Sequence, residues 1–222
     1  MSGKTSALKA MSYRSLQALG QQGGLGPVYP LNLTTRGTLV TAFQRTQGLV
    51  TDGWPGDATY YTLWSQGHRP STAGQIIAIA RSWCNIGTSY KLGSGGYDWL
   101  PDWVAPECDC SGFIASVLGR SRRPQPDCEY WLSTDFIWTD CATTQTLFVQ
   151  VPKAQPGAIV AYPDSDGKQG HTAIVTTLSG STVFGVDCAS SSSHRGDAVT
   201  ERDITFFDKR DSRYCVPVWM QG

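Results

Sequence analysis

The sequence has no long hydrophobic run and no excess of charge of either sign. Its apolar stretches are short, such as residues 76–80, and none approaches the roughly 20 residues that a membrane-spanning helix requires. Basic and acidic residues each number 18, so the composition imposes no basic surface and does not favour nucleic acid as a partner. The N-terminus contains no apolar core of a signal peptide, so we expect a chain made in the cytoplasm without a secretory signal.

Histidine is scarce, whereas cysteine is frequent. His68, His171 and His194 are the three candidates for an imidazole base. The seven cysteines are an odd number, so at least one is unpaired or pairs between chains. If one acts as a nucleophile, the other six suffice for up to three disulfides in an oxidising compartment. Cys84 falls on the apolar face of a predicted helix, where we expect a buried free thiol.

Residues 1–66 have the pattern of a small three-helix module. A first helix is predicted over residues 12–20, and Asp57 is a suitable N-cap for the third. Apolar residues at helical spacing form the buried faces of the second and third helices: Leu39, Val40, Phe43, Tyr60, Leu63 and Trp64. Residues 67–71 are a polar linker to a second domain over residues 72–222.

The second domain changes from helical to strand periodicity along its length. Helices are predicted from a cap at Ser71 or Thr72 to a stop at Gly87, over residues 110–119, and over about 128–141. Strand-like runs follow at 157–162, 171–178, 181–187, 204–207 and 214–219. Helices followed by strands predict an α+β domain in which helices pack on an antiparallel sheet.

Three residues of this domain have the pattern of a thiol mechanism. Cys110 opens a predicted helix, whose free N–H groups and dipole favour a thiolate and can stabilise an oxyanion. Small residues after it, Ser111 among them, allow a substrate to approach closely. His171 opens a strand and is the best candidate for the base. Asp187 ends the next strand, where antiparallel pairing brings it beside His171 to orient the imidazole.

The domain resembles the NlpC family of cell-wall cysteine peptidases, which belongs to the papain-like group. The matching segments are GTSY at 87–90, the glycine loop at 93–96, DCSGF at 109–113, PGAIV at 156–160 and GHTAIV at 170–175. The resemblance covers residues 72–215. Two positions depart from the family pattern: Ala158 replaces the usual Asp, and Asp187 stands where many relatives carry His.

The resemblance implies hydrolysis of the stem peptide of peptidoglycan, usually next to D-glutamate, without a cofactor. It makes Cys110 the nucleophile and His171 the base, and it assigns the third polar position to Asp187. Tyr90 and Asp109 match positions that line the substrate site. Tyr90 is expected to hold the oxyanion or the substrate, and Asp109 to meet a free substrate amine.

Residues 12–66 resemble a three-helix peptidoglycan-binding module. The residues that carry this resemblance are Phe43, Gln44, Gly48, Leu49, Asp52, Gly53, Gly56 and Thr59. An enzyme of this kind without a signal acts in the periplasm or cell wall after export or injection. A phage lysin that leaves with the help of a holin, and a secreted antibacterial effector that is matched by an immunity protein, both fit.

Other interpretations of these residues remain open. The fold also suits an acyltransferase or deamidase, and a chain with a decayed site would only bind the wall. The helical module could be a generic prodomain or cap that does not bind the wall. Asp187 could be an acid at a strand end or turn that only caps a local N–H group. Zinc on Cys108, Cys110, His171 and Cys188 is disfavoured because the Cys-x-Cys spacing is tight, so no metal is expected. A Cys108–Cys188 disulfide is a further possibility.

Overall fold

The computed structural model describes residues 33–53, 57–67, 69–96, 107–190 and 197–221. Within these ranges the protein is mixed α+β, with five α-helices and a six-stranded antiparallel sheet, which confirms the predicted class. The predicted helix over residues 12–20 lies outside the described ranges, as do His68 and His194. Among the described helices, none is long and apolar enough to cross a membrane.

A buried glutamine joins the first two helices, α1 (Leu33–Thr46) and α2 (Asp57–Ser65). Gln44 is 3% exposed, and its Nε2 donates to Asp52 Oδ1 at 2.9 Å and to Thr59 Oγ1 at 3.2 Å. Its Oε1 accepts the backbone N–H of Gly53 at 2.8 Å. Buried amides require such partners, so this network fixes the turn between the helices. The predicted apolar faces are buried: Leu39, Val40, Phe43, Tyr60, Leu63 and Trp64.

Helix α2 packs against the rest of the protein through Trp64. The indole Nε1 donates to the carbonyl of Leu118 at 3.1 Å, and the ring meets Trp219 edge-on with centroids 4.9 Å apart. The guanidinium groups of Arg69 and Arg120 lie 4.5 and 4.8 Å from the Trp64 ring centroid. These cation–π and aromatic contacts dock α2 on the second part of the chain.

Helix α3 (Ala73–Ser82) begins where the sequence predicts and ends early. Thr72 caps it, as one of the two expected caps. The chain leaves the helix at Trp83, ahead of the predicted stop at Gly87. Cys84 therefore lies beyond the helix, and its free thiol is half-buried rather than buried as predicted.

Helix α4 (Cys110–Leu118) is buried along its whole length. It runs from its cap at Asp109 to Gly119, which adopts a left-handed φ of 69°, as predicted. The two short parallel strands β1 (Ser89–Tyr90) and β2 (Glu107–Cys108) form a separate sheet just before it.

Helix α5 (Thr134–Asp140) is shorter than the predicted span of about 128–141. The side chain of Ser133 caps it, and the backbone N–H of Leu132 donates instead to the carbonyl of Arg122 at 2.8 Å. The residues before Thr134 therefore satisfy their hydrogen bonds outside a helix.

The main sheet has the strand order β3-β8-β4-β5-β6-β7. Its strands are β3 (Phe148–Val151), β4 (Ile159–Tyr162), β5 (His171–Ser179), β6 (Thr182–Cys188), β7 (Val199–Asp203) and β8 (Arg213–Pro217). One face packs on α3, α4 and α5 around residues such as Ile76, Ile114, Ile137, Ile159 and Ile174. The opposite face is covered by a smaller cluster that includes Val160, Val175, Ile204 and Phe207.

Four of the five predicted strands are present, and the strand predicted over 204–207 is wrong. That segment enters a 3₁₀ helix, Thr205–Lys209, because Asp203 Oδ1 accepts the backbone N–H of Thr205 at 2.8 Å and turns the chain. Phe207 then covers the sheet from outside. The edge strands β3 and β7 are absent from the sequence prediction.

We expect Gly112→Ala to destabilise the protein, although alanine normally favours a helix. A Cβ on Gly112 would lie 1.9 Å from the backbone oxygen of Ser94, which cannot move away freely. The expected loss in free energy of unfolding is about 1–3 kcal/mol, measured by urea denaturation. A Cβ on Gly74, near the start of α3, would have nothing within 4 Å, so Gly74→Ala should be neutral or gain up to about 1 kcal/mol. Equal stabilisation of both variants would contradict the close approach.

Candidate active site

The thiol of Cys110 is at the N-terminus of α4, with only 6% of the residue exposed. The cap residue Asp109 uses Oδ1 to accept the backbone N–H of Gly112 at 2.8 Å. Cys110 Sγ lies 3.8 Å from Thr134 Oγ1, at the start of α5. A thiol in this position is next to the positive end of the helix dipole, which favours the anionic form of a cysteine.

The imidazole of His171 is hydrogen-bonded to Asp187 and lies close enough to Cys110 for that side chain to raise its pKa. Its Nε2 is 2.6 Å from Asp187 Oδ2. The ring stacks on Phe207 with centroids 5.8 Å apart and an interplanar angle of 16°, and Tyr162 is 6.3 Å away. Phe207, which the sequence prediction had assigned to a strand, therefore helps to fix the plane of the imidazole.

Asp187 is completely buried and contacts a second cation, Arg202 on β7. Arg202 Nε donates to Asp187 Oδ1 at 3.0 Å, and Nη2 donates to Oδ2, the oxygen shared with His171. Strand register explains the contact, because Thr200 pairs with Asp187 and Arg202 lies two residues further along the same face. Sequence reasoning missed Arg202, although a buried carboxylate requires a cation or several donors.

These contacts control the ionisation of His171 and Asp187. Burial alone would lower the pKa of His171, but the hydrogen bonds with Asp187 and Cys110 outweigh it and raise the pKa to about 9. Burial would likewise raise the pKa of Asp187, whereas the hydrogen bonds from His171 and Arg202 lower it. The imidazole is therefore a cation at neutral pH.

A second buried carboxylate organises the residues around the thiol. Asp109 is 2% exposed, and its Oδ2 accepts Arg122 Nη1 and the backbone N–H of Gly93, both at 2.7 Å. Ser111 Oγ donates to Asp109 Oδ1 at 3.2 Å and accepts Arg122 Nη2 at 2.9 Å. Arg122 was not singled out from the sequence, because arginines are usually exposed and nothing local marks this one.

A cleft of about 130 Å³ opens beside Cys110. Its lining residues come from β1, α4, α5 and the loop before β5: Tyr90, Leu92, Asp109, Cys110, Ser111, Arg122, Ser133, Thr134, Asp135, Asp164, Gln169 and Gly170. All three residues expected at a substrate site, Tyr90, Asp109 and Ser111, therefore border it. Burial raises the pKa of Tyr90 to about 12, so its phenol remains a neutral hydrogen-bond donor.

The geometry thus places His171 and the buried Asp187 close to Cys110, which lines the cleft. Within the described part of the chain, no three His, Cys, Asp or Glu side chains are grouped to hold a metal ion. Comparison with known proteins adds no assignment, since neither a protein-family model nor a curated protein sequence matches this chain.

We expect Asp187→Asn to lower the pKa of His171 by about 2, because burial remains while the carboxylate is lost. NMR titration of the histidine ring signals measures this, with His171→Gln identifying the resonance. The control is Asp211→Asn, which removes an exposed carboxylate and leaves the backbone carbonyl that accepts Trp138 Nε1 in place. An imidazole that still titrates near 9 in Asp187→Asn would contradict the proposed coupling.

Proposed function

We propose that the protein is a papain-like cysteine peptidase of the NlpC type that hydrolyses peptidoglycan. The observation that supports this most directly is the hydrogen bond between His171 and Asp187 close to Cys110, whose thiol is at a helix N-terminus. A nucleophile beside a base that a third group orients is the arrangement used for covalent acyl transfer. The antiparallel sheet packed by helices is consistent with the fold that the motifs imply.

In the proposed mechanism, the Cys110 thiolate attacks the carbonyl carbon of the substrate amide. The oxyanion is stabilised by the backbone N–H of Cys110 and by the phenol of Tyr90. The His171 imidazolium gives its proton to the leaving amine, and the acyl-enzyme forms. Neutral His171 then takes a proton from water, whose hydroxyl attacks the thioester and releases Cys110. Asp187 stabilises the imidazolium in both steps.

The proposed substrate is the stem peptide of the wall, at the amide next to D-glutamate. The cleft at Cys110 has polar walls, which suits a peptide with carboxylate and amine groups. Asp109 is the proposed partner of a free substrate amine. Such an amine competes with Arg122 and two backbone N–H groups for the carboxylate, so we propose that Asp109 also acts by holding the cleft in shape.

The N-terminal residues 1–66 are the proposed wall-binding module, and residues 72–222 the peptidase domain. The network around Gln44 gives a physical role to several motif residues of that module, namely Asp52, Gly53 and Thr59. We further propose that the protein acts in the periplasm or cell wall, as a phage lysin assisted by a holin or as an effector paired with an immunity protein.

Digestion of purified sacculi tests this function. Wild type should release stem-peptide fragments, identified by mass, and Cys110→Ala and His171→Ala should each reduce the rate by more than about 10³-fold. Cys84→Ala is the matched control, because Cys84 is half-buried away from the cleft, and it should retain full activity.

The alternatives give different results in the same assay. Fragment release that survives Cys110→Ala would refute the thiol mechanism. Intact sacculi together with an acylated or deamidated product would indicate a transferase or deamidase. Intact sacculi that merely retain the protein would indicate a wall-binding protein without activity.

A further inference from the structure

Cys108 and Cys188 form a thiol pair directly behind the candidate active site. Their Sγ atoms are 3.2 Å apart, and both residues are 0% exposed. Cys188 Sγ also donates to the carbonyl of Cys108 at 3.2 Å. A disulfide needs about 2.05 Å between the sulfurs, so the two atoms must approach by only about 1 Å, which is within the range of side-chain rotation.

The pair connects two segments that hydrogen bonds hold in separate sheets. Cys108 ends β2, in the small two-stranded sheet that leads into Cys110, whereas Cys188 ends β6, directly after Asp187. The contact between the small sheet and the main one includes the backbone N–H of Ala198, which donates to the carbonyl of Thr88 at 2.8 Å. A covalent bond at this point would fix the nucleophile segment against the strand that carries Asp187.

We infer that Cys108 and Cys188 are a disulfide pair that closes when the chain folds in the presence of a disulfide oxidant. One thiolate attacks the oxidant and forms a mixed disulfide, releasing one thiol. The second thiolate attacks that mixed disulfide, forms the Cys108–Cys188 bond and releases the other thiol. The two cysteines lose two protons and two electrons, and the oxidant is reduced to two thiols.

The burial of the pair indicates when the bond forms. The hydrogen bond with Cys108, together with burial, raises the pKa of the Cys188 thiol well above its ordinary value. A protonated, buried thiol is a poor nucleophile, so the reaction belongs to the folding stage, before the sulfurs are enclosed. The bond closes a loop with a sequence separation of 80 residues, and long loops gain most from cross-linking.

Four of the remaining cysteines fall into two groups. Cys141 and Cys215 are close enough for each to affect the pKa of the other's thiol. Cys84 and Cys128 instead have carboxylates, arginines and backbone groups as the neighbours that affect them. They therefore serve as internal controls that remain free thiols.

The test is to unfold the full chain in urea and refold it with oxidised and reduced glutathione or with a reductant alone. Remaining thiols are alkylated in denaturant, and peptides are mapped by mass spectrometry without reduction. We expect a linked peptide containing Cys108 and Cys188 in the oxidised sample, alkylated Cys84, Cys110 and Cys128, and a Tm about 10 °C higher than in the reduced sample.

Mapping of the wild-type chain decides the inference even if variants fold poorly. Alkylated Cys108 and Cys188 in the oxidised sample, or a bond from either one to Cys110, would overturn it. The double variant with Cys108→Ala and Cys188→Ala should lose most of the redox-dependent rise in Tm. The matched variant with Cys84→Ala and Cys128→Ala should keep that rise.

Formation of the disulfide does not depend on the proposed function. Its effect on catalysis does, because that effect is measured as digestion of sacculi. After heating to a temperature between the two Tm values and cooling, the oxidised protein should digest sacculi and the reduced protein should not. Intact sacculi in every sample, with the cross-link present, would refute the proposed function and leave the disulfide assignment standing. Equal survival of activity in both samples would refute the role of the bond in holding the site.

Discussion

The position of the candidate nucleophile depends on the buried ion pair between Asp109 and Arg122. Helix α4 is enclosed along its whole length, so water cannot satisfy its first N–H groups. Asp109 accepts the N–H of Gly112 instead. A carboxylate that is 2% exposed would, however, destabilise the fold if it had no cation beside it. Arg122 neutralises it at 2.7 Å, so the arginine makes it possible for the helix to begin inside the protein, at Cys110.

The same arrangement recurs on the other side of the thiol. Asp187 is a buried carboxylate that orients His171, and Arg202 is the cation that compensates it. Each half of the site therefore has one buried aspartate that positions a reactive group and one arginine that balances its charge. Because an arginine is paired with each carboxylate, neither aspartate leaves an uncompensated negative charge in the interior.

The parts of this site that were predictable from the sequence are those that local pattern determines. Cys110 precedes an apolar helical run, and His171 begins a predicted strand. Each local pattern predicts the element on which the side chain lies, so the two residues could be proposed together from the sequence. Arg122 and Arg202 could not, because no local pattern marks either arginine and only the fold brings each one to its buried aspartate. The 3₁₀ helix at Thr205–Lys209 was missed for a related reason. Its two phenylalanines are equally suited to a strand, and only the hydrogen bond to Asp203 turns the chain.

The docking of α2 affects how the two parts of the chain could act on one substrate. A binding module on a flexible linker raises the local concentration of enzyme without constraining where it cuts. Here Trp64 is 5% exposed and held by Leu118, Trp219 and two arginines, so α2 is part of the same packed body as α4. Leu118 lies at the opposite end of α4 from Cys110. A wall strand held by the proposed binding module would therefore lie at a fixed distance from the cleft, and the bond that is cut would be selected by that distance as well as by the residues that line the cleft.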